Sequence, residues 1–154
     1  MGNALKLAQC YSGAVAGVRA RTVEIEVCAS SGSPQFAIVG LPDTAVKEAK
    51  DRVSTAISNS GFARPETNIT VNLAPADVRK EGPIYDLPIA VCLLAAADKI
   101  KCRDLAEWAL VGELALSGEV RRVRGHRVPA RGGVDHARLC GSVASCSGGT
   151  GYRG

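Results

Sequence analysis

Arg21-Thr-Val-Glu-Ile-Glu-Val-Cys28 alternates apolar and polar side chains with a period of two. Successive side chains of a strand point to opposite faces of its sheet, so Val23, Ile25 and Val27 are expected to face a core, and Thr22, Glu24 and Glu26 to face water. A clean alternation of this kind is the mark of an antiparallel strand with one covered face. Upstream, Lys6 to Tyr11 predicts an earlier strand, with Ser12-Gly13 and Gly17 breaking the chain. Downstream, Ser30-Ser-Gly-Ser-Pro34 reads as a turn and Gln35-Phe-Ala-Ile-Val39 as a short buried strand ending at Gly40.

The pattern then changes to a helical period. Pro42-Asp43 opens a helix with Asp43 as its N-cap, because a carboxylate there accepts from the unpaired amides of the first turn. Val46, Ala49, Val53, Ala56 and Ile57 form one apolar stripe, Glu48 and Arg52 an i, i+4 pair on the other face, and Gly61 the stop. Asn68-Ile-Thr-Val-Asn-Leu73 returns to period two, with Ile69, Val71 and Leu73 inward. After the loop from Ala74 to Pro83, Asp86 is expected to cap a second helix, and Pro88 fits its first turn, where no amide partner is required. From Leu87 to Ala97 this helix is apolar nearly all round, which implies burial on several sides. Ala109 to Leu116 and Glu119 to Val123 read as a hairpin turning at Ser117-Gly118. The order of strands, helix, strand, helix and strands predicts an α/β (α+β) domain: a mixed sheet with two main helices.

Composition agrees with a single domain whose end differs from its body. Of 154 residues, 46% are hydrophobic, 22% charged and only 4% aromatic, so Ala, Val, Ile and Leu build the core, and neither a disordered chain nor a membrane protein fits. Residues 1–125 carry 15 Lys+Arg against 14 Asp+Glu, a net charge of +1, with 10 glycines. Residues 126–154 carry 7 glycines, four Arg, the single acid Asp135 and both histidines, His126 and His136. With Leu139 as its one large aliphatic residue besides Val, this Gly/Arg-rich tail is expected to be disordered or foreign to the fold. The domain is therefore drawn at residues 6–125. The longest apolar run, Leu87 to Ala97, is too short to span a bilayer of ~30 Å, and the expected location is the cytoplasm, with no membrane partner.

Few residues here could carry chemistry. The body has no histidine, which removes Ser–His and Cys–His catalysis from it. The cysteines, Cys10, Cys28, Cys92, Cys102, Cys140 and Cys146, lack C-x-x-C spacing, so no zinc site is expected, and Cys28 and Cys92 read as small hydrophobes. Asp77, Glu81 and Asp86 stand among Arg79 and Lys80 on the central loop, where a salt-bridge network with a helix cap is expected rather than acid–base or metal work. These five residues are the candidate interaction loop. Gly148-Gly-Thr-Gly151 lacks the Gly-Lys-Ser/Thr of a phosphate loop. Arg121, Arg122, Arg124 and Arg127 could touch phosphates but have no aromatic platforms beside them.

Longer ordered motifs do point to a family. Phe36-Ala-Ile-Val-Gly-Leu-Pro-Asp43, Val46-Lys-Glu-Ala-Lys-Asp-Arg-Val53, Asn59-Ser-Gly-Phe62, Ile69-Thr-Val-Asn-Leu-Ala-Pro-Ala-Asp-Val-Arg-Lys-Glu-Gly-Pro83, Tyr85-Asp-Leu-Pro-Ile-Ala90 and Val111-Gly-Glu-Leu-Ala-Leu-Ser-Gly-Glu-Val120 follow one another in order. Together, over about residues 6–125, they resemble the N-terminal domain of the YifB/ComM family, the magnesium-chelatase-like AAA+ ATPases. The resemblance implies a fold like the Lon proteolytic domain and the C-terminal domain of RadA. It also implies an adjoining AAA+ motor that uses ATP and Mg, forms rings and, in ComM-type proteins, processes DNA in natural transformation.

Two departures shape the expected function. No Walker A or Walker B segment stands in this chain, so no cofactor is expected here, and ATP hydrolysis belongs to the parent protein alone. The Lon-type Ser–Lys dyad is also unmatched: Ile84 follows Gly82-Pro83 where the nucleophile would stand, and the lysine would fall near Arg127, whose guanidinium stays protonated. The expectation is a non-catalytic interaction or regulatory domain whose partners are its own AAA+ module and, through the parent, DNA. The alternatives are a Lon-type Ser–Lys peptidase and a stand-alone nucleic-acid-binding module. After Gly125 the family would continue with a Leu-Pro-Ala-Ala-type helix start. Arg131-Gly132-Gly133 permits alanine codons after a one-base shift, so the residues after about 125 are expected to be read out of frame, as a truncated product or an artefact of how the gene was read.

Overall fold

The computed structural model describes residues 6–123. Strands β1 (Lys6–Ala16) and β2 (Arg19–Ser30) form a long antiparallel hairpin, with Lys6 opposite Ala29 and Ala16 opposite Arg19. Strand β3 spans Gln35–Val39 and β4 spans Asn68–Ala74. The other edge of β2 pairs antiparallel with β4, placing Ile25 opposite Leu73 and Val27 opposite Val71. β3 then runs parallel to β4, so the sheet is mixed, in the order β1-β2-β4-β3. Val23, Ile25, Val27, Val71 and Leu73 are fully buried on one face, as the period-two pattern requires. On the other face Asn72 Nδ2 donates to Glu26 Oε2 at 2.8 Å, a cross-strand pair in register.

Two strands depart from expectation. β1 does not break at Ser12-Gly13 but continues to Ala16, with Gly13 opposite Thr22 and the Tyr85 hydroxyl donating to Gly13 O at 3.1 Å. The continuous ladder outweighs the roughly 0.5–1 kcal/mol by which a strand glycine is disfavoured. The chain does turn at Gly17, the other expected break, whose φ of +64° suits a residue without Cβ. β3 is not a buried strand: it is the sheet's edge, with Phe36 and Ile38 half-buried and Gln35, Ala37 and Val39 exposed.

The connection from β3 to β4 is helical and covers the buried face. It comes in two pieces, α1 (Thr44–Lys47) and α2 (Ala49–Asn59), separated at Glu48 where one continuous helix was expected. The stripe Val46, Ala49, Val53, Ala56 and Ile57 is fully buried, and Gly61 takes φ +87° at the stop. A short 3₁₀ turn, Pro83–Tyr85, leads into α3 (Asp86–Ala96), which lies against β1, β2 and α2. Surrounded in this way, α3 buries Leu87, Ile89, Leu93 and Leu94 to 1% exposure or less, each stabilising by roughly 1.5–3 kcal/mol. The expected terminal hairpin is present but brief: β5 (Glu113–Leu114) and β6 (Val120–Arg121) pair antiparallel around Gly118. Gly112 docks this end onto α3, since Leu87 N donates to Gly112 O at 3.0 Å and Gly112 N to Ile84 O at 2.9 Å.

Candidate functional site

The loop between β4 and α3 is built against the segment that leads into α1. Lys80 N donates to Leu41 O at 3.2 Å, and Asp43 N donates to Lys80 O at 3.0 Å, so the two stretches run side by side. The Asp43 carboxylate serves both. One oxygen accepts from Val46 N at 2.8 Å as the expected N-cap, and the other accepts from Gly82 N at 3.1 Å. The loop turns at Ala76-Asp77, where Val78 N donates to Pro75 O at 3.3 Å, and sends its side chains by turns to solvent and to the core. Asp77, Arg79 and Glu81 are exposed, whereas Val78 and Lys80 are buried. Replacing Asp43 by Ala removes both acceptors at once and is expected to destabilise the domain by about 1–2 kcal/mol, at the upper end for a cap. Urea denaturation measures this, and a loss under ~0.5 kcal/mol would show that neither bond contributes to stability.

The five charged residues expected to form one network occupy three separate settings. Arg79 and Glu81 pair with each other at 3.0 Å with both side chains about two-thirds exposed, which contributes little stability. Lys80 is fully buried, its ammonium donating to Pro75 O. Burial pushes the Lys80 pKa down, while the nearby Asp77 carboxylate opposes that shift. Asp86 leaves the loop altogether. It does not cap α3 with its side chain but lies fully buried at the start of that helix.

Arg52 of α2, assigned from its spacing to Glu48, is the partner of Asp86. Its Nε donates to Asp86 Oδ2 at 2.7 Å and its Nη2 to Oδ1 at 3.0 Å, a two-pronged pair. Nη2 also donates to Ala45 O at 2.7 Å, and Leu114 N donates to Asp86 Oδ2 at 3.2 Å. Glu48 stands farther off, at 3.7 Å from Arg52. One ion pair therefore ties α1, α2, α3 and β5 together. Burial pushes the Asp86 carboxyl above its ordinary range, against the opposing pull of Arg52 and the Leu114 amide. The hydrogen bond to Asp86 in turn raises the Arg52 pKa, against its own partial burial. The signal in the sequence was an acid at the head of an otherwise apolar helix, which demands a buried cation without saying which one.

The position that would hold a Lon-type nucleophile is Ile84, only 2% exposed and packed in the core. Among the described residues, no group of three or more His, Cys, Asp or Glu is placed to hold a metal ion, and no helix is long and apolar enough to cross a membrane. Arg121 pairs with Glu113 at 3.8 Å and Arg122 is exposed. Arg124, Arg127, His126, His136, the Gly148–Gly151 run and the whole 126–154 tail, with its expected frame shift, lie outside the described residues.

The chain's similarities lie across this same framework. Residues 25–133 match the family described as subunit ChlI of Mg-chelatase. The chain belongs to this family. It is 53% identical over 121 residues to the uncharacterized protein YifB of Salmonella typhimurium, covering 79% of this chain and 24% of that protein. It is 51% identical over 121 residues to the competence protein ComM of Haemophilus influenzae, with the same coverage of 79% and 24%. An uncharacterized protein of Mycobacterium tuberculosis strain H37Rv is 41% identical over 121 residues. The chain thus spans about a quarter of the length of these relatives, and the quarter it matches is their N-terminal one.

Proposed function

We propose that residues 6–125 are a non-catalytic interaction and regulatory module of a YifB/ComM-type AAA+ ATPase, and that it contacts the ATPase part through the 77–81 loop. The observation that supports this reading is the alternation on that loop: Asp77, Arg79 and Glu81 point outward from a backbone anchored by Val78, Lys80 and Asp43. Charges displayed on a rigid support lose little freedom on binding, which favours their use as a contact surface. The relatives also extend well beyond the matched quarter, which leaves room for the module contacted. Residues 126–154 are assigned no part in the module. A Lon-like fold belongs to the same reading and is supported by the mixed sheet covered by two main helices; with Ile84 in the core, no peptidase activity accompanies it. The same reading gives the parent ATP-driven work on DNA during transformation, in the cytoplasm, and the name of the Haemophilus relative, a competence protein, supports it.

The test is a graft. This chain's residues 6–125 replace the N-terminal quarter of Salmonella YifB, and ATP hydrolysis and ring assembly are measured. Exchanging the two charges (Arg79→Glu with Glu81→Arg) preserves the local pair but reverses what it presents. It is expected to change assembly or hydrolysis about five- to tenfold while leaving the unfolding midpoint unchanged. Unaltered assembly and hydrolysis would remove the loop from the interface. Labelling of the chain by a fluorophosphonate serine probe would favour the peptidase reading, and salt-dependent binding to duplex DNA by the chain alone would favour the nucleic-acid module.

A further inference from the structure

Cys10 and Cys92 lie 82 residues apart in sequence, yet Cys92 Sγ donates to Cys10 Sγ at 3.2 Å. Cys10 points inward from β1, opposite Ile25, and its thiol also approaches Pro88 O at 3.9 Å. Pro88 and Cys92 are one turn apart, so the Cys10 side chain sits against a single turn of α3. Both residues are fully buried. A disulfide has an S–S distance of about 2.05 Å, so closure needs the sulfurs to approach by only about 1 Å. Cys28 has no such option, because it lies on the opposite face of β2, in register with Leu7 and Thr70. All four described cysteines are reduced.

We propose that Cys10 and Cys92 form a reversible oxidative modification site, at which a low-molecular-weight disulfide converts the two thiols into a bridge from β1 to α3. The entry point is Cys102, which follows α3, is only half-buried and packs against the core that holds Cys10 and Cys92. The Cys102 thiolate attacks one sulfur of the small disulfide, R–S–S–R, breaking that bond and releasing R–S⁻, which takes up the proton Cys102 gave up. Cys10 then attacks the Cys102 sulfur and releases the second R–SH. Cys92 attacks Cys10 and expels Cys102 as a thiol. In sum, the S–H bonds of Cys10 and Cys92 and one S–S bond of the oxidant break, and one protein S–S bond and two R–S–H bonds form. The protein loses two electrons and two protons, and the oxidant gains them.

Burial and the neighbouring thiols push the Cys10 pKa up, so the reaction is slow at neutral pH and speeds up as the thiolate fraction rises, roughly tenfold from pH 7 to pH 8. The experiment treats the full chain, under native conditions, with oxidised glutathione. Remaining thiols are then alkylated and the protein is unfolded and mapped by mass spectrometry. The expected product is lighter by two hydrogens, links the peptides containing Cys10 and Cys92, and reverts with a dithiol reductant. Cys102→Ala is expected to slow its formation at least about tenfold without changing its identity. Recovery of Cys10 and Cys92 as alkylated thiols, with oxidation confined to the other cysteines, overturns the site. An equal rate in Cys102→Ala overturns the relay. A bridge that forms no faster in the folded chain than in urea overturns the role of the native geometry.

Discussion

Replacing Arg52 by Met is expected to destabilise the domain by about 3–5 kcal/mol at neutral pH, a large part of the 5–15 kcal/mol that typically holds such a domain folded. The size follows from what remains behind. Asp86 is fully buried, and with the guanidinium gone it keeps only the Leu114 amide at 3.2 Å. Met preserves much of the aliphatic volume of the Arg stem, so the loss reports the orphaned charge rather than a cavity. Removing the charge as well, in Arg52→Met with Asp86→Leu, is expected to recover most of the stability, because a buried ion pair contributes little relative to apolar residues of similar size.

The pH dependence carries a sign that distinguishes this account from simple loss of packing. Burial already holds the Asp86 carboxyl above its ordinary range, and in the single variant the restraint from Arg52 is absent. A carboxyl whose folded pKa exceeds its unfolded pKa binds its proton more tightly in the native state. The corresponding stability is fully present below the unfolded pKa and is lost as pH rises through the folded value. The deficit of Arg52→Met relative to wild type is therefore expected to be smaller near about pH 5 than near about pH 7.5, as read from paired urea titrations. An equal deficit at both would show that Asp86 does not titrate in this range.

Gly40→Ala is expected to be the second most damaging change, by about 3–5 kcal/mol or to the point of failed folding. A Cβ added at Gly40 would lie 2.0 Å from Leu73 O, a backbone atom of the neighbouring strand, and the residue sits at φ +102°. Neither conflict can be relieved by rotating a side chain. Gly17→Ala is the matched control: it also has a positive φ, +64°, but a Cβ there meets nothing within 4 Å. It is expected to destabilise by only about 1 kcal/mol, the cost of the backbone conformation alone. Thermal unfolding of the two variants separates steric conflict from conformational preference, and similar losses in both would sink the distinction.

Gly40 also shows how much of the site could be read in advance. It marks the end of β3 in the sequence, but only the parallel pairing of β3 with β4 brings its backbone against Leu73. Asp43 was legible as a cap because the bond to Val46 N is local; its second bond, to Gly82, crosses 39 residues. Glu48 and Arg52 have the spacing of a helical pair, and they do approach each other, but a desolvated carboxylate outcompetes a hydrated one for the same guanidinium. The charged loop read as one network because its residues are close in sequence. The turn at Ala76-Asp77 and the bridge of Lys80 to Pro42 send neighbouring side chains to solvent and core by turns, and the network divides accordingly.

The sequence by itself determined the faces of β2 and β4, the buried stripe of α1 and α2, the all-round burial of α3 and the family resemblance. Each of these is written in short-range periodicity or contiguous motif, since burial repeats with the local geometry of the chain. Only the tertiary structure decided that β3 is an edge, that Arg52 neutralises Asp86 and that Cys10 meets Cys92. Periodicity reports whether a side chain leaves water, but not which distant group it meets. That choice depends on how the strands are ordered and where the helices cross them, and it joins residues 34 and 82 positions apart.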